Sequence, residues 1–242
     1  GTTIANNTDN YVTTATGTGL NGEANLTFDG NALTVKGTSP SITIGDAGTE
    51  DTKLVFDGNA QDYYIGLDDT DDDFKIGLGS AVGTTAHMVF DEAGAITKPL
   101  QPCVLAIPAS TQSNITANSN NEIAFGTEIY DVGADFSTPT FTAPVTGKYF
   151  VSSMVRVNEI DTAANYYYLI TSTSNRNYYS PILDPDDLET DDPGYWTFHA
   201  SLITEMDASD TLTIHIRQDA GSTQSDIEGS SGFTWLSVAL IS

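Results

Sequence analysis

The chain has 242 residues, of which 33 are acidic and 8 are basic, so its formal net charge is −25. This balance excludes a nucleic-acid partner, because phosphate binding requires clustered Lys and Arg side chains. No apolar run reaches the ~18 residues of a membrane-spanning helix, so we expect no membrane insertion. The single cysteine, Cys103, excludes an intrachain disulfide.

Residues 1–98 are repetitive. A heptapeptide of the form Leu-Thr-Phe-Asp-Gly-Asn-Ala occurs three times, with decreasing fidelity, at residues 26–32, 54–60 and 88–94. An isoleucine followed by glycine is interleaved with it, within residues 42–45, 64–66 and 75–77. Asp-Gly between alternating apolar residues is typical of a hairpin or bend. The pattern therefore predicts short strands joined by tight turns.

One such hairpin cannot bury a core alone. Successive repeats could stack within one chain, as in a solenoid, or several chains could wrap together around a shared apolar seam. With about three irregular repeats we favour intertwined chains whose strands pair between subunits. The repeats resemble the stalk repeats of bacteriophage tail fibres and other virion structural proteins, and that resemblance implies a β stalk over residues 1–98.

A run of five aspartates and one threonine occupies residues 68–73. A cation site is one interpretation, but Phe74 stands where a calcium-binding EF-hand loop requires glycine. Acidic runs are more often solvated, so the interpretation we favour is a solvated turn.

Two prolines within residues 98–102 mark the boundary to a second domain, residues 99–242. Short β-forming runs separated by Gly, Pro, Asn or Asp follow it, and they predict strands at 103–107, 121–125, 141, 148–157, 165–172, 195–206, 210–218 and 232–241. Eight such strands predict a sandwich or jelly roll. In the run 211–217, alternation sends Leu212, Ile214 and Ile216 to one face and His215 to the other.

The string Phe-Thr-Ala-Pro-Val-Thr-Gly-Lys-Tyr-Phe at residues 141–150 reads as a Pro/Gly turn between two strands, with Gly147 permitting a positive φ. It resembles the F-T-A-P-x-x-G-x-Y-F signature of C1q/TNF-like domains. Further matches are Phe125, Tyr130 and Phe136 before it, and the late turn 206–212 and the terminal strand 231–238 after it. The resemblance implies a ten-stranded jelly roll that assembles as a homotrimer. We therefore expect an all-β homotrimer with a C1q/TNF-like jelly-roll head, preceded by the repetitive stalk.

Five tyrosines lie close together in the head sequence: Tyr166, Tyr167, Tyr168, Tyr178 and Tyr179. Tyrosine pairs a flat apolar face with a polar tip and is enriched in binding surfaces, so these residues are candidate ligand contacts. The alternative is that some of them line the sheet faces and the trimer contact. Strand alternation sends Tyr166 and Tyr168 one way and Tyr167 the other.

Six acids follow in nine residues: Asp184, Asp186, Asp187, Glu189, Asp191 and Asp192. Adjacent carboxylates repel unless they are solvated or bridged by a cation, and Ca²⁺ binds such oxygen-rich loops. Calcium is therefore the one cofactor we consider, and a mobile acidic loop is the alternative that we favour.

No HExxH, GxSxG or phosphate-binding loop occurs, and no nucleophile with a base partner is recognisable, so we predict no catalytic residues. We expect a non-enzymatic structural and adhesion protein, extracellular as a virion tail fibre or capsid appendage, whose head binds a host-surface glycan or protein. One alternative is a glycan-degrading tail spike that uses two facing carboxylates. The other is a head that mainly trimerises the stalk.

Overall fold

The computed structural model describes residues 4–5, 11–15, 19–188, 194–229 and 232–242. Within them the secondary structure is β, in four separate sheets, apart from one short 3₁₀ helix. No helix in this part of the chain combines the length and the apolar character needed to cross a bilayer.

The first sheet has four strands, β1 (Ile4–Ala5), β2 (Tyr11–Ala15), β3 (Leu20–Phe28) and β4 (Leu33–Val35), in the order β1-β3-β2 with β4 also paired to β3. The β3–β4 hairpin closes at Asp29, whose carboxylate accepts the backbone N–H groups of Asn31 at 2.9 Å and Ala32 at 2.8 Å. The Asp-Gly motif thus forms the bend that the sequence predicts.

The second sheet is an antiparallel meander of five strands, β5 (Thr52–Phe56), β6 (Tyr63–Asp68), β7 (Asp73–Leu78), β8 (Ala86–Phe90) and β9 (Ile96–Thr97). Phe28, Phe56 and Phe90, the aromatic residues of the three repeats, each end a strand that continues into a hairpin. The predicted unit of strand, turn and strand is therefore confirmed for all three repeats.

Two expectations for this region need correction. The strands pair within the chain, whereas we expected pairing between subunits, because each short connection brings consecutive strands side by side. Residues 42–45 form no strand, and Ile42 and Ile44 are exposed. Pro40 lacks a backbone donor and Gly45 has a φ of +104°, so neither suits a strand ladder.

One face of the second sheet is covered by the connection between β7 and β8. Val82 of this connection is buried, and Gly83 donates its N–H to the hydroxyl oxygen of the fully buried Tyr64 at 3.1 Å. A Cβ at Gly77 would lie 2.5 Å from that hydroxyl oxygen, so glycine is required where the ring of Tyr64 crosses the sheet.

On the same face, the ammonium group of Lys75 is buried between two carboxylates. It donates to Asp68 at 2.7 Å and to Asp71 at 2.5 Å. Burial by itself would lower the pKa of Lys75, but the hydrogen bonds that it donates to both carboxylates raise the pKa above its ordinary value. The run 68–73 is therefore not simply a solvated turn, because two of its acids hold an internal cation.

In the described residues of 99–242, which we call the head, there are twelve strands and the helix η1 (Pro185–Asp187), which lies between β17 and β18. The strands are β10 (Cys103–Ile107), β11 (Ser119–Glu122), β12 (Thr127–Val132), β13 (Phe136–Ser137), β14 (Thr140–Thr142), β15 (Gly147–Asn158), β16 (Ala164–Thr173), β17 (Asn177–Tyr179), β18 (Tyr195–Met206), β19 (Thr211–Ala220), β20 (Asp226–Ile227) and β21 (Trp235–Leu240).

The twelve strands form two six-stranded sheets. The front sheet has the order β12-β10-β21-β15-β18 with β20 on β15, and the back sheet has the order β13-β14-β19-β16-β17 with β11 on β19. From β14 onward the chain passes repeatedly between the two sheets, and the first and last of the twelve strands, β10 and β21, are neighbours. This double-sheet, Greek-key arrangement is a jelly roll, so the all-β jelly-roll fold is confirmed.

The core lies between the two sheets. The alternation in β19 is confirmed, because Leu212, Ile214 and Ile216 are all fully buried. Phe141 of the back sheet packs edge-on against Tyr149 of the front sheet, with ring centroids 5.6 Å apart. Two residues of the string 141–150, Phe141 and Tyr149, therefore pack the two sheets together.

One detail of the string 141–150 differs from expectation. Gly147 does not have a positive φ. It is needed for close approach, since a Cβ there would lie 2.6 Å from the carbonyl oxygen of Ser242. Phe150 is 41 % exposed on the outer side of the front sheet.

Candidate functional site

Three tyrosines come together on the outer face of the back sheet. Tyr166 and Tyr168 are two residues apart on β16 and stack with centroids 5.6 Å apart and planes at 25°. Tyr179, on the neighbouring strand β17, meets Tyr168 edge-on at 5.5 Å. We call Tyr166, Tyr168 and Tyr179 the tyrosine cluster. It exists because β16 and β17 are adjacent and their alternation places all three rings on one side.

An ion pair on β19 flanks the tyrosine cluster. Arg217 stands opposite Tyr168, and Asp219 opposite Tyr166. The Arg217 guanidinium donates to the Asp219 carboxylate at 2.8 Å, and Asn165 donates to its other oxygen at 3.0 Å. The hydrogen bond from Arg217 lowers the pKa of Asp219, and the same bond raises that of Arg217, so both stay ionised.

The environment of Tyr168 favours its neutral hydroxyl group. Burial raises the pKa of Tyr168, and this outweighs the lowering by the nearby Arg217. A neutral phenol both donates and accepts a hydrogen bond. Tyr168 therefore presents a flat apolar ring with a polar tip beside the paired Arg217 and Asp219.

Two of the five candidate tyrosines face the other way. Tyr167 is fully buried, where its hydroxyl bonds the Ser225 hydroxyl at 2.9 Å and accepts the N–H of Asp161 at 3.1 Å. Tyr178 lies opposite Thr171, and its hydroxyl bonds that of Thr204 in the front sheet at 3.0 Å. Tyr167 and Tyr178 thus connect structural elements, and the five residues do not form one site.

A groove of about 590 Å³ opens beside the cluster, between the edge strands β17 and β18. Its lining includes Tyr178 and Tyr179 from one sheet and His199 and Ser201 from the other. Tyr179, which is 62 % exposed, belongs to both the cluster and the groove and links them around the sheet edge. The His199 ring packs edge-on against Trp235, with ring centroids 6.2 Å apart.

His215 occupies the predicted outer face but is mostly covered there. Its Nε2 lies 2.9 Å from the hydroxyl of Thr213 and 3.9 Å from the carboxylate of Glu122. Burial lowers the pKa of His215 and Glu122 partly opposes this, so the neutral imidazole is favoured at physiological pH.

The acidic loop is described in part. Asp184, Asp186 and Asp187 are exposed, and the Asp184 carboxylate accepts the N–H of Asp186 at 3.2 Å, which caps η1. The other three predicted calcium ligands, Glu189, Asp191 and Asp192, lie outside the described residues. In the ranges that the structure describes, no three His, Cys, Asp or Glu side chains converge as a metal site. A calcium site in this loop stays a prediction.

Sequence reasoning missed Arg217, Asp219 and Asn165 as neighbours of the tyrosines. The alternation of β19 sends Arg217 outward, which was the available signal. Nothing local showed that β19 pairs with β16, or in which register, because the paired residues Tyr168 and Arg217 are 49 residues apart in the sequence.

No protein-family model matches this sequence, and no curated protein matches it. Solved structures with a similar fold include murine APRIL at pH 8.5, with 14% sequence identity, a TM-score of 0.42, and coverage of 58% of this chain and 99% of that chain. The globular domain of the zebrafish complement 1qA protein also has 14% identity and a TM-score of 0.42, with coverage of 59% and 98%. The jelly roll itself rests on the strand order described above.

Proposed function

We propose that this chain is a non-enzymatic adhesion protein of a virion, an extracellular trimeric tail fibre or capsid appendage. In this proposal residues 1–98 form the stalk and residues 99–242 form the head, which binds a glycan or protein on the host surface. The observation that carries the proposal is the tyrosine cluster with its adjoining groove.

The cluster suits recognition because its rings are already held in place. Tyr166 and Tyr168 project from β16, which is paired on both sides, and they support each other by stacking. Preorganised aromatic side chains lose little conformational entropy on binding, and tyrosine is enriched among residues that dominate binding energy. The flat rings fit the C–H faces of a sugar or an apolar segment of a protein, and the hydroxyl tips supply hydrogen bonds.

The negative charge of the chain restricts the class of ligand that the head can bind. The chain carries a net charge of −25, and Arg217 is already paired with Asp219. A polyanionic glycan would be repelled, so we expect a neutral glycan or an uncharged or basic protein surface.

A trimer is part of the proposal, following from the resemblance to C1q/TNF-like domains and from the stalk repeats. Light scattering should give about 77 kDa for three chains of 25.7 kDa each. A mass of one chain, 25.7 kDa, would refute the trimer.

The test is a glycan array together with binding to host cells, using two matched variants. Tyr179→Ala removes a ring of the cluster that is 62 % exposed, and Tyr195→Ala removes a ring elsewhere that is 61 % exposed. We expect Tyr179→Ala to weaken binding about tenfold, which corresponds to about 1.4 kcal/mol, while Tyr195→Ala binds as the unmodified chain does. Equal effects of the two variants on binding would refute the assignment of the tyrosine cluster as the binding site. Release of reducing ends from a bound polysaccharide would contradict a non-enzymatic role and favour the glycan-degrading alternative.

A further inference from the structure

The second sheet has one face that no other described segment of the chain covers. The register places eleven apolar side chains on this face, and we call them the apolar face. They are Leu54, Phe56, Tyr63, Ile65, Leu67, Phe74, Ile76, Leu78, Met88, Phe90 and Ile96.

The apolar face is large for a surface open to water. Six of its side chains are 41–62 % exposed, and they are Leu54, Phe56, Tyr63, Leu67, Phe74 and Ile96. With full side-chain areas of 150–250 Å² for aromatic residues, the face leaves roughly 600 Å² of apolar surface in water. A patch of that size is at the upper limit for a monomer and marks an interaction surface.

The other face of the same sheet is already covered by part of the chain. The connection between β7 and β8 closes over Tyr64 there, and Lys75 is buried between its carboxylates. A β-sheet with two apolar or buried faces needs a layer on each side. Within the described residues, this chain supplies only one of them.

We propose that the apolar face binds the same face of other copies of this chain and forms a dry seam along the stalk. This inference deepens the proposed function, and it takes its number of copies, three, from that proposal. It assigns association of the stalk to residues 52–97, independently of any contact between heads.

Charge favours a second copy as the occupant. The chain has 33 acidic residues, yet no position of the apolar face is charged. Copies that each carry a net charge of −25 repel one another wherever carboxylates meet, so they can approach closely only through a surface without them. The acids of the second sheet lie elsewhere, as Asp68 and Asp73 do on the opposite face.

Area supports the same occupant. A stable protein interface buries roughly 800 Å² per partner, and the apolar face supplies most of that from apolar atoms alone. Its rings are fixed before association, since Phe74 and Phe90 already pack edge-on at 5.7 Å. A rigid, uncharged and apolar surface matches the composition of a permanent interface between identical subunits.

Cross-linking of the full chain tests the seam. In a Cys103→Ser background, Leu67→Cys or Ile96→Cys places a thiol on the apolar face, and Val55→Cys places one on the opposite face. Leu67 and Val55 are 42 % and 40 % exposed, so the comparison is matched. With a short bis-maleimide reagent, we expect covalent dimers on a denaturing gel from either variant of the apolar face and monomers from Val55→Cys.

The outcomes separate this inference from the proposed function. Cross-linking absent from both Leu67→Cys and Ile96→Cys, or equally strong with Val55→Cys, overturns the seam. If light scattering of the same sample then gives a mass of about 77 kDa, the trimer is retained and only the seam on the apolar face is refuted. A mass of 25.7 kDa would refute both the trimer and the seam. A monomer that co-sediments with phosphatidylcholine vesicles would assign the apolar face to a lipid surface and also overturn the seam.

Discussion

Removing the hydroxyl of Tyr167 should destabilise the head without touching the outer face. The phenol O–H donates to the hydroxyl oxygen of Ser225, which itself donates to the carbonyl of Glu159, and it accepts the N–H of Asp161. In Tyr167→Phe the ring still packs near Phe198, so no large cavity forms.

The magnitude follows from what loses a partner. Ser225 keeps its bond to Glu159, but the N–H of Asp161, a residue only 4 % exposed, loses its acceptor. Burying an unsatisfied donor costs about 1–3 kcal/mol, so we expect Tyr167→Phe to lower the free energy of unfolding by about 2 kcal/mol. For a chain of this size, that corresponds to a fall in Tm of about 4–8 °C.

Urea unfolding at a fixed protein concentration measures this effect. The two tryptophans, Trp196 and Trp235, both lie in the front sheet, so their fluorescence reports on the head. Tyr179→Phe is the matched control, because Tyr179 is 62 % exposed, and its unfolding free energy should change by less than about 0.5 kcal/mol. If Tyr167→Phe stays within that limit, or both variants shift equally, the assignment of Tyr167 to the core network is refuted.

Two further substitutions test buried charges. Lys75→Met leaves the carboxylate of Asp68 buried without its cation, and should cost about 2 kcal/mol, less than a fully buried pair because Asp71 is exposed. The hydrogen bond from Lys75 lowers the pKa of Asp68, so this stabilisation is present above the ordinary value of 3.8 and is lost as the pH falls through the folded value. Melting curves of the variant and the unmodified chain should therefore converge in acid, and a constant difference down to pH 2 would contradict this. Burial, with a contribution from Asp131, raises the pKa of Asp135, so its ionised form destabilises the fold as the pH rises above 3.8. Asp135→Asn should raise Tm at pH 7 and have little effect at pH 3; a lower Tm at pH 7 would contradict this.

Much of the strand pattern could be predicted from the sequence. Strands β10 and β18 have the predicted bounds, and the inward residues of β19 are those that alternation selects. Alternation and turn chemistry act over a few neighbouring residues, so they can be recognised without knowledge of the fold. The short strands β13, β17 and β20 were not predicted, because each lies beside a longer strand that stabilises it, and β12 was not predicted either.

The candidate site depended on tertiary structure. The sequence grouped five tyrosines, but the pairing of β16 with β17 and β19 decided that Tyr166, Tyr168 and Tyr179 share the outer face, beside Arg217 and Asp219. Register between strands distant in sequence is set by packing of the whole core, so spacing along the chain cannot give it.

The amino-acid sequence was enough to predict an acidic, all-β protein with a repetitive hairpin region followed by a jelly roll. The three-dimensional arrangement was needed to show that Lys75 lies against the acidic turn, that Tyr167 is internal, and that one face of the second sheet is apolar and left uncovered by the described residues. The difference lies in the sequence distance over which each interaction acts. Local preferences fix which residues are extended, whereas burial and pairing depend on which distant segment arrives on each side.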